Sequence, residues 1–174
     1  MIRFIKIWSW QREDLPSVRH AARTALAATA SLLIARLIGM PEAYWSAITT
    51  IVVMQSNLGA TLTLSVERIV AGALGASLGA IESTYFGQNI VAFGVAIFLL
   101  GLISRLFQME KTGYHYAGVT LGIVTLVPRT NPPWYIATHR FIEVSIGILI
   151  ALAVAAIWLE ERPLPAKQAE EKST

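Results

Sequence analysis

The sequence predicts an all-α integral membrane protein, a bundle of six helices, and three observations carry that reading. Only 14% of the 174 residues are charged against 55% hydrophobic, with a mean hydropathy of +0.56, whereas globular domains carry roughly a quarter charged residues. Long uncharged runs follow one another: Ala43 to Val66, Ile69 to Ile81, Ser83 to Ser104, Thr112 to Pro128 and Val144 to Leu159, after an apolar stretch from Ala21 to Gly39. Turn signals separate them at Gly39-Met40-Pro41, Gln55 to Gly59, Gly87-Gln88-Asn89, Gln108 to Gly113 and Asn131-Pro132-Pro133.

A bilayer core asks for about 20 apolar residues per helix. The runs therefore predict helices near 18–39, 42–56, 66–86, 89–107, 113–128 and 134–159 within one domain over 18–159. The second and fifth are short for a full crossing, as if they began or ended in unwound backbone or met a thinner bilayer. Met1 to Trp10 alternates basic residues with Ile2, Phe4, Ile5, Ile7, Trp8 and Trp10. That pattern predicts a cytoplasmic amphipathic segment over 1–17 lying in the headgroup plane. Residues 160–174, with Pro163, Pro165 and mixed charges, read as a disordered cytoplasmic tail.

Orientation follows the cations. With both termini on one side, that side collects Arg3, Lys6, Arg12, Arg19, Arg23, Arg68, Arg105, Lys111, Arg162, Lys167 and Lys172, leaving only Arg36, Arg129 and Arg140 of the 14 on the other. Both termini are therefore expected in the cytoplasm. The net charge of +3 is spread rather than gathered into a basic patch with interleaved aromatics, so the expected partner is a lipid bilayer and not nucleic acid.

Polar residues inside the spans are expensive and need a partner or a water-filled cavity. On the third helix Arg68, Gly72, Gly75, Gly79 and Glu82 share one face, and on the sixth Arg140, Glu143, Gly147, Ala151 and Ala155 do the same. Arg68 and Arg140 are each followed by a small residue seven positions on and another four further. Two successive blocks of three helices have opposite orientation in a membrane, so this echo suggests a 3+3 inverted repeat, with Arg68 toward the cytoplasmic mouth and Arg140 toward the outer one. Close helix crossing explains the glycines without any pathway, and Arg140 could instead pair with Glu143. Gly118 and Gly122 on the fifth helix invite the same tight packing. Thr49, Thr50, Thr120 and Thr125 either line a polar passage or bond their own helix carbonyls.

Catalytic parts are missing. The sequence has no Ser-His-carboxylate spacing, no Gly-rich phosphate loop and no His-Glu-x-x-His, and there is no cysteine. His20, His115 and His139 lack ligand spacing among themselves, so neither an enzyme nor a metal or cofactor site is expected.

The stretch Trp45 to Leu62, followed by Glu67-Arg68 and Gly72 to Ala80, resembles the signature of the fusaric acid resistance family, also described as aromatic acid exporters, whose membrane domain is shared with plant aluminium-activated malate transporters. Trp45, Thr49, Gly59, Ala60, Thr61, Leu62 and Arg68 carry the match, and the Arg140 to Ala151 segment is similar to the family's second arginine helix. Gln55 stands where the plant members carry an acid. The resemblance implies a six-helix membrane unit, an organic anion as the transported species, aromatic carboxylates foremost, and pairing of two units, hence a homodimer in a bacterial inner membrane. The expected anion pathway is then Arg68, Arg140, Glu143, Gln55, Asn57, Thr49 and Thr61, beside the packing residues Gly72, Gly75, Gly79, Gly118, Gly122 and Gly147. The alternative is a non-transporting scaffold or an accessory subunit of an efflux complex, which needs the glycine stripes only for packing.

Overall fold

The computed structural model describes residues 18–55, 57–127 and 130–158, so the expectations for 1–17 and 160–174 fall outside it. Six helices fill the described residues: α1 (Val18–Leu37), α2 (Tyr44–Val53), α3 (Leu58–Phe86), α4 (Ile90–Leu106), α5 (Lys111–Leu126) and α6 (Pro133–Ile157). There is no strand among the described residues. The architecture is the predicted all-α membrane bundle, and α3 and α6 are each long and apolar enough to cross a bilayer.

One boundary departs from the sequence reading. The third helix begins at Leu58 rather than near 66, because Asn57 adopts an extended backbone and its side chain accepts the Ala60 N–H at 2.8 Å. The segment read as a turn is the capped first turn of α3. Glycine ends two helices where a left-handed backbone is needed, Gly39 (φ 79) after α1 and Gly87 (φ 61) after α3.

The helices alternate in direction. Ser31 on α1 meets Ser46 and Thr50 on α2, and Arg23 meets Gln55 beyond the other end of α2, so α1 and α2 are antiparallel. Gly101 faces Tyr114 while Gly122 faces Phe93, which makes α4 and α5 antiparallel. Gly75 abuts Ala117 and Gly79 abuts Leu121, so α3 and α5 run together, as do α2 and α6. At the centre α3 crosses α6 antiparallel, with Gly72 against Val144 near the middle of each helix.

Exchanging α1, α2 and α3 for α4, α5 and α6 maps every packed helix pair onto another packed pair: α1·α2 onto α4·α5, α2·α6 onto α5·α3, α1·α6 onto α4·α3, and α3·α6 onto itself. The contacts thus have the symmetry of the 3+3 inverted repeat. The core is divided accordingly. One cluster, with Ala27, Val53, Val144, Ile148 and Ala151, joins α1, α2 and α6; a second, with Ala71, Ala96, Leu100, Ala117 and Leu121, joins α3, α4 and α5.

Candidate anion site

The arginine helices are held by backbone-to-backbone approaches. A Cβ on Gly147 would run into the Ser46 carbonyl oxygen and come within 3.0 Å of Thr49 Cβ; a Cβ on Gly75 would run into the Ala117 carbonyl oxygen and come within 3.0 Å of Thr120 Cβ. The two contacts correspond under exchange of the triplets. The residue before each carbonyl is aromatic, and each aromatic ring carries an arginine. Arg140 Cζ sits 3.3 Å from the centre of the Trp45 ring, and Arg68 Cζ 4.0 Å from that of Tyr116. A guanidinium over a ring face gains quadrupole attraction while its edge, where the N–H donors lie, stays available.

For Arg140 that edge is unbonded. The side chain is only 1% exposed, and Nε, Nη1 and Nη2 have no hydrogen-bond partner. Glu143 does not clamp it. Glu143 Oε1 instead accepts the Glu42 backbone N–H at 2.8 Å, and Trp45 Nε1 donates to Glu42 Oε2 at 3.1 Å. Glu143 therefore holds the α1–α2 loop, and that loop holds the indole under the guanidinium. The result is a cavity of about 170 Å³ lined by Pro41, Glu42, Asn131, Tyr135, Ile136, His139, Arg140 and Glu143. Its two carboxylates offset the guanidinium charge, so the cavity presents a hydrogen-bonding fork rather than a strong positive well.

The remaining sequence candidates separate. Thr49 lies buried beside Gly147 with its hydroxyl unpartnered. Gln55, Asn57 and Thr61 form the α2–α3 junction: Thr61 Oγ1 accepts the Gln55 N–H at 3.1 Å and donates to the Asn57 carbonyl at 3.0 Å, while Asn57 caps α3. Gln55 also lines a second cavity, of about 430 Å³, with Thr63, Glu67, Glu110 and Thr112, at the end of the bundle where α3 and α5 begin. Arg68 and Arg140 stand one turn to either side of the Gly72–Val144 crossing, about 6 Å each along the helix axis. Their backbones are nearer the middle of the bundle than the two mouths expected. Gly118 and Gly122 would meet only Ile97 and Phe93 side chains, at 3.7 and 3.8 Å, which is ordinary contact.

Sequence reasoning missed Arg23, which is 2% exposed. Its Nη1 donates to the Trp158 carbonyl at 3.2 Å and Nη2 to the Gln55 carbonyl, tying α1 to the ends of α2 and α6. Arg23, Ala27, Ser31 and Ala35 are all buried at steps of four. That spacing marked the face, but its arginine was counted only as a cytoplasmic charge.

Two inverted three-helix units crossing through glycine, each with an arginine on an aromatic ring, define a membrane bundle built to hold buried cations at mid-depth. The chain belongs to the fusaric acid resistance protein-like family, whose pattern matches residues 28–154. It is 31% identical over 147 residues to the inner membrane protein YeeA of Escherichia coli, covering 80% of this chain and 40% of that protein. It is 27% identical over 141 residues to the E. coli inner membrane protein YccS, with 80% and 20% covered. Aluminum-activated malate transporter 12 of Arabidopsis thaliana is 27% identical over 183 residues, with 90% and 32% covered. The chain thus spans less than half the length of these curated relatives. No solved structure matches it.

Proposed function

We propose that the chain is the membrane unit of an organic-anion transporter in a bacterial inner membrane, with both termini cytoplasmic, working as a homodimer, and that Arg140 and Arg68 are successive stations for a carboxylate. The observation that carries the reading is the Arg140 guanidinium, buried and stacked on Trp45 with its nitrogens unbonded. A scaffold gains only the ring contact from a buried guanidinium without hydrogen bonds, which costs desolvation. A carboxylate completes it, since a bidentate guanidinium–carboxylate pair replaces the water that both groups lost. The Trp45 and Tyr116 faces beside the stations favour an aromatic body on the carboxylate. The relative named as a malate transporter supports an anion as cargo.

The test is carboxylate flux into proteoliposomes of the purified chain, with aromatic and aliphatic acids compared. Arg68→Gln, and Arg140→Gln combined with Glu143→Gln, should each lower flux at least about tenfold with expression and melting nearly unchanged, and Arg140→Lys should restore only part of the loss, because an ammonium lacks the planar fork. Wild-type flux in both glutamine variants refutes the reading in favour of a scaffold. Mass photometry in nanodiscs reads the dimer directly, and a solely monomeric chain refutes that part.

A further inference from the structure

The symmetry of the bundle breaks between α1 and α4. Helices α1 and α4 are equivalent, and the buried steps Ala27, Ser31 and Ala35 of α1 match Ala96, Leu100 and Ser104 of α4, so Arg23 corresponds to Ala92. In the first triplet Arg23 fills the end of the α1–α6 seam and satisfies the Trp158 and Gln55 carbonyls. In the second, the α3–α4 seam is left as a groove of about 360 Å³ beside Ala92, walled by Leu78, Phe86, Val95 and Leu99, with Glu82 and Asn89 as its polar lining. Glu82 is 5% exposed, and neither carboxyl oxygen has a hydrogen-bond partner. A buried carboxyl with both acceptors unmet among apolar walls is costly unless a donor enters.

We propose that this groove holds a phospholipid with a primary ammonium headgroup, whose N–H donors meet Glu82 and whose chain lies along the α3–α4 seam. Position and shape select a lipid. Glu82 stands just over one turn before Gly87, where α3 ends, which is the depth of the headgroup boundary in a bundle of this kind. From there the wall runs inward from Val91 to Leu99, about 12 Å of helix, and is apolar throughout. The charge selects the headgroup. An ammonium offers three donors to a carboxyl with open acceptors; a trimethylammonium offers none. The proposal rests on the membrane placement of the bundle but shares no residue with the arginine stations, so it stands or falls apart from the transport reading.

Native mass spectrometry of the purified full chain in maltoside detergent tests it, titrated with dihexanoyl phosphatidylethanolamine and, separately, dihexanoyl phosphatidylcholine. Wild type should prefer the ethanolamine lipid by about tenfold or more, the worth of a charge-assisted hydrogen bond. Glu82→Gln, nearly isosteric, should abolish that preference. Ala92→Arg, which supplies the guanidinium that the second triplet lacks, should abolish it independently and raise the melting temperature. Equal binding of the two lipids, or a preference that survives both substitutions, overturns the proposal. Displacement of the lipid by an equal concentration of phenethylammonium overturns the lipid assignment in favour of a soluble amine. A dimer that Ala92→Arg dissociates with lipid binding unchanged assigns the groove to a second copy instead.

Discussion

The glycine contacts predict a steep ranking among substitutions that look identical in sequence. Adding one methyl at Gly147 forces it into the Ser46 carbonyl, and neither that backbone nor the Thr49 Cβ, 3.0 Å away, can turn aside. Helices α2 and α6 must part before the methyl fits. Overpacking of this kind costs about 1–3 kcal/mol. The separation also stretches the Thr50 Oγ1 bond to the Gly147 carbonyl, 2.9 Å long, a further contribution of about 1 kcal/mol. Gly147→Ala should therefore lose roughly 2–4 kcal/mol, a fall in melting temperature on the order of 5–15 °C for a domain of this size. Gly75→Ala, facing the Ala117 carbonyl, should rank with it, and Gly79→Ala, 3.0 Å from Val124 Cβ, somewhat lower. Gly72→Ala meets only Val144 Cγ1 at 4.0 Å and Gly94→Ala meets nothing, so both should lie within about 0.5 kcal/mol of wild type. Thermal melting of all five in one detergent, read by fluorescence-detected size exclusion, is the assay. If Gly147→Ala and Gly75→Ala melt together with Gly94→Ala, these helices do not meet backbone to backbone and the argument fails.

Glu143→Gln should keep an oxygen for the Glu42 N–H while removing a negative charge beside Arg140, so the apparent affinity for a carboxylate in flux assays should rise several-fold; a fall would show that the charge helps rather than hinders. Arg23→Met should strand the Trp158 and Gln55 carbonyls and lower stability by about 1–3 kcal/mol, read by melting, with carboxylate selectivity unchanged. Thr50→Val should cost about 1–2 kcal/mol by removing a hydroxyl that bonds Ser46 O, Gly147 O and Ser31 Oγ, and a melting temperature equal to wild type would contradict it. Trp45→Leu should keep the fold but free Arg140 from its stacking surface, so carboxylate flux should drop while melting changes little.

Much of this was legible in the sequence because it lies in periodicity. The helix order, the stripes from Arg68 to Glu82 and from Arg140 to Ala155, and the echo between them are spacings along one helix. What stayed hidden depends on which face meets which neighbour. Gly75-x-x-x-Gly79 and Gly118-x-x-x-Gly122 are the same pattern, but the first faces the α5 backbone and the second faces Ile97 and Phe93, whose side chains yield. Asn57 reads as a turn residue or as a helix cap with equal ease, since the same short side chain serves both. Glu143 sits at pairing distance from Arg140 along the helix, but a backbone N–H from a distant loop claims it. Glu42, Trp45 and Tyr116 enter the site through contacts far apart in the chain, which no local pattern encodes.

Helix α2 has only 10 residues, about 15 Å of helix against a hydrocarbon layer of about 30 Å. The α1–α2 hairpin therefore stops well short of the α6 N-terminus, and the cavity over Arg140 opens in the space it leaves. On the opposite side Gln55 and Glu67 border a recess of their own. Water admitted from both faces would leave only a thin dry septum around the Gly72–Val144 crossing, about 12 Å between the two arginine backbones. A membrane voltage would then fall mostly across that septum. An anion stepping from one guanidinium to the other would carry most of its charge through the field, about 2.3 kcal/mol per 100 mV. Such a chain would be electrically steep: its carboxylate flux should change several-fold when a potassium diffusion potential of either sign is imposed on proteoliposomes, and a flux indifferent to voltage would mean that the septum is thick.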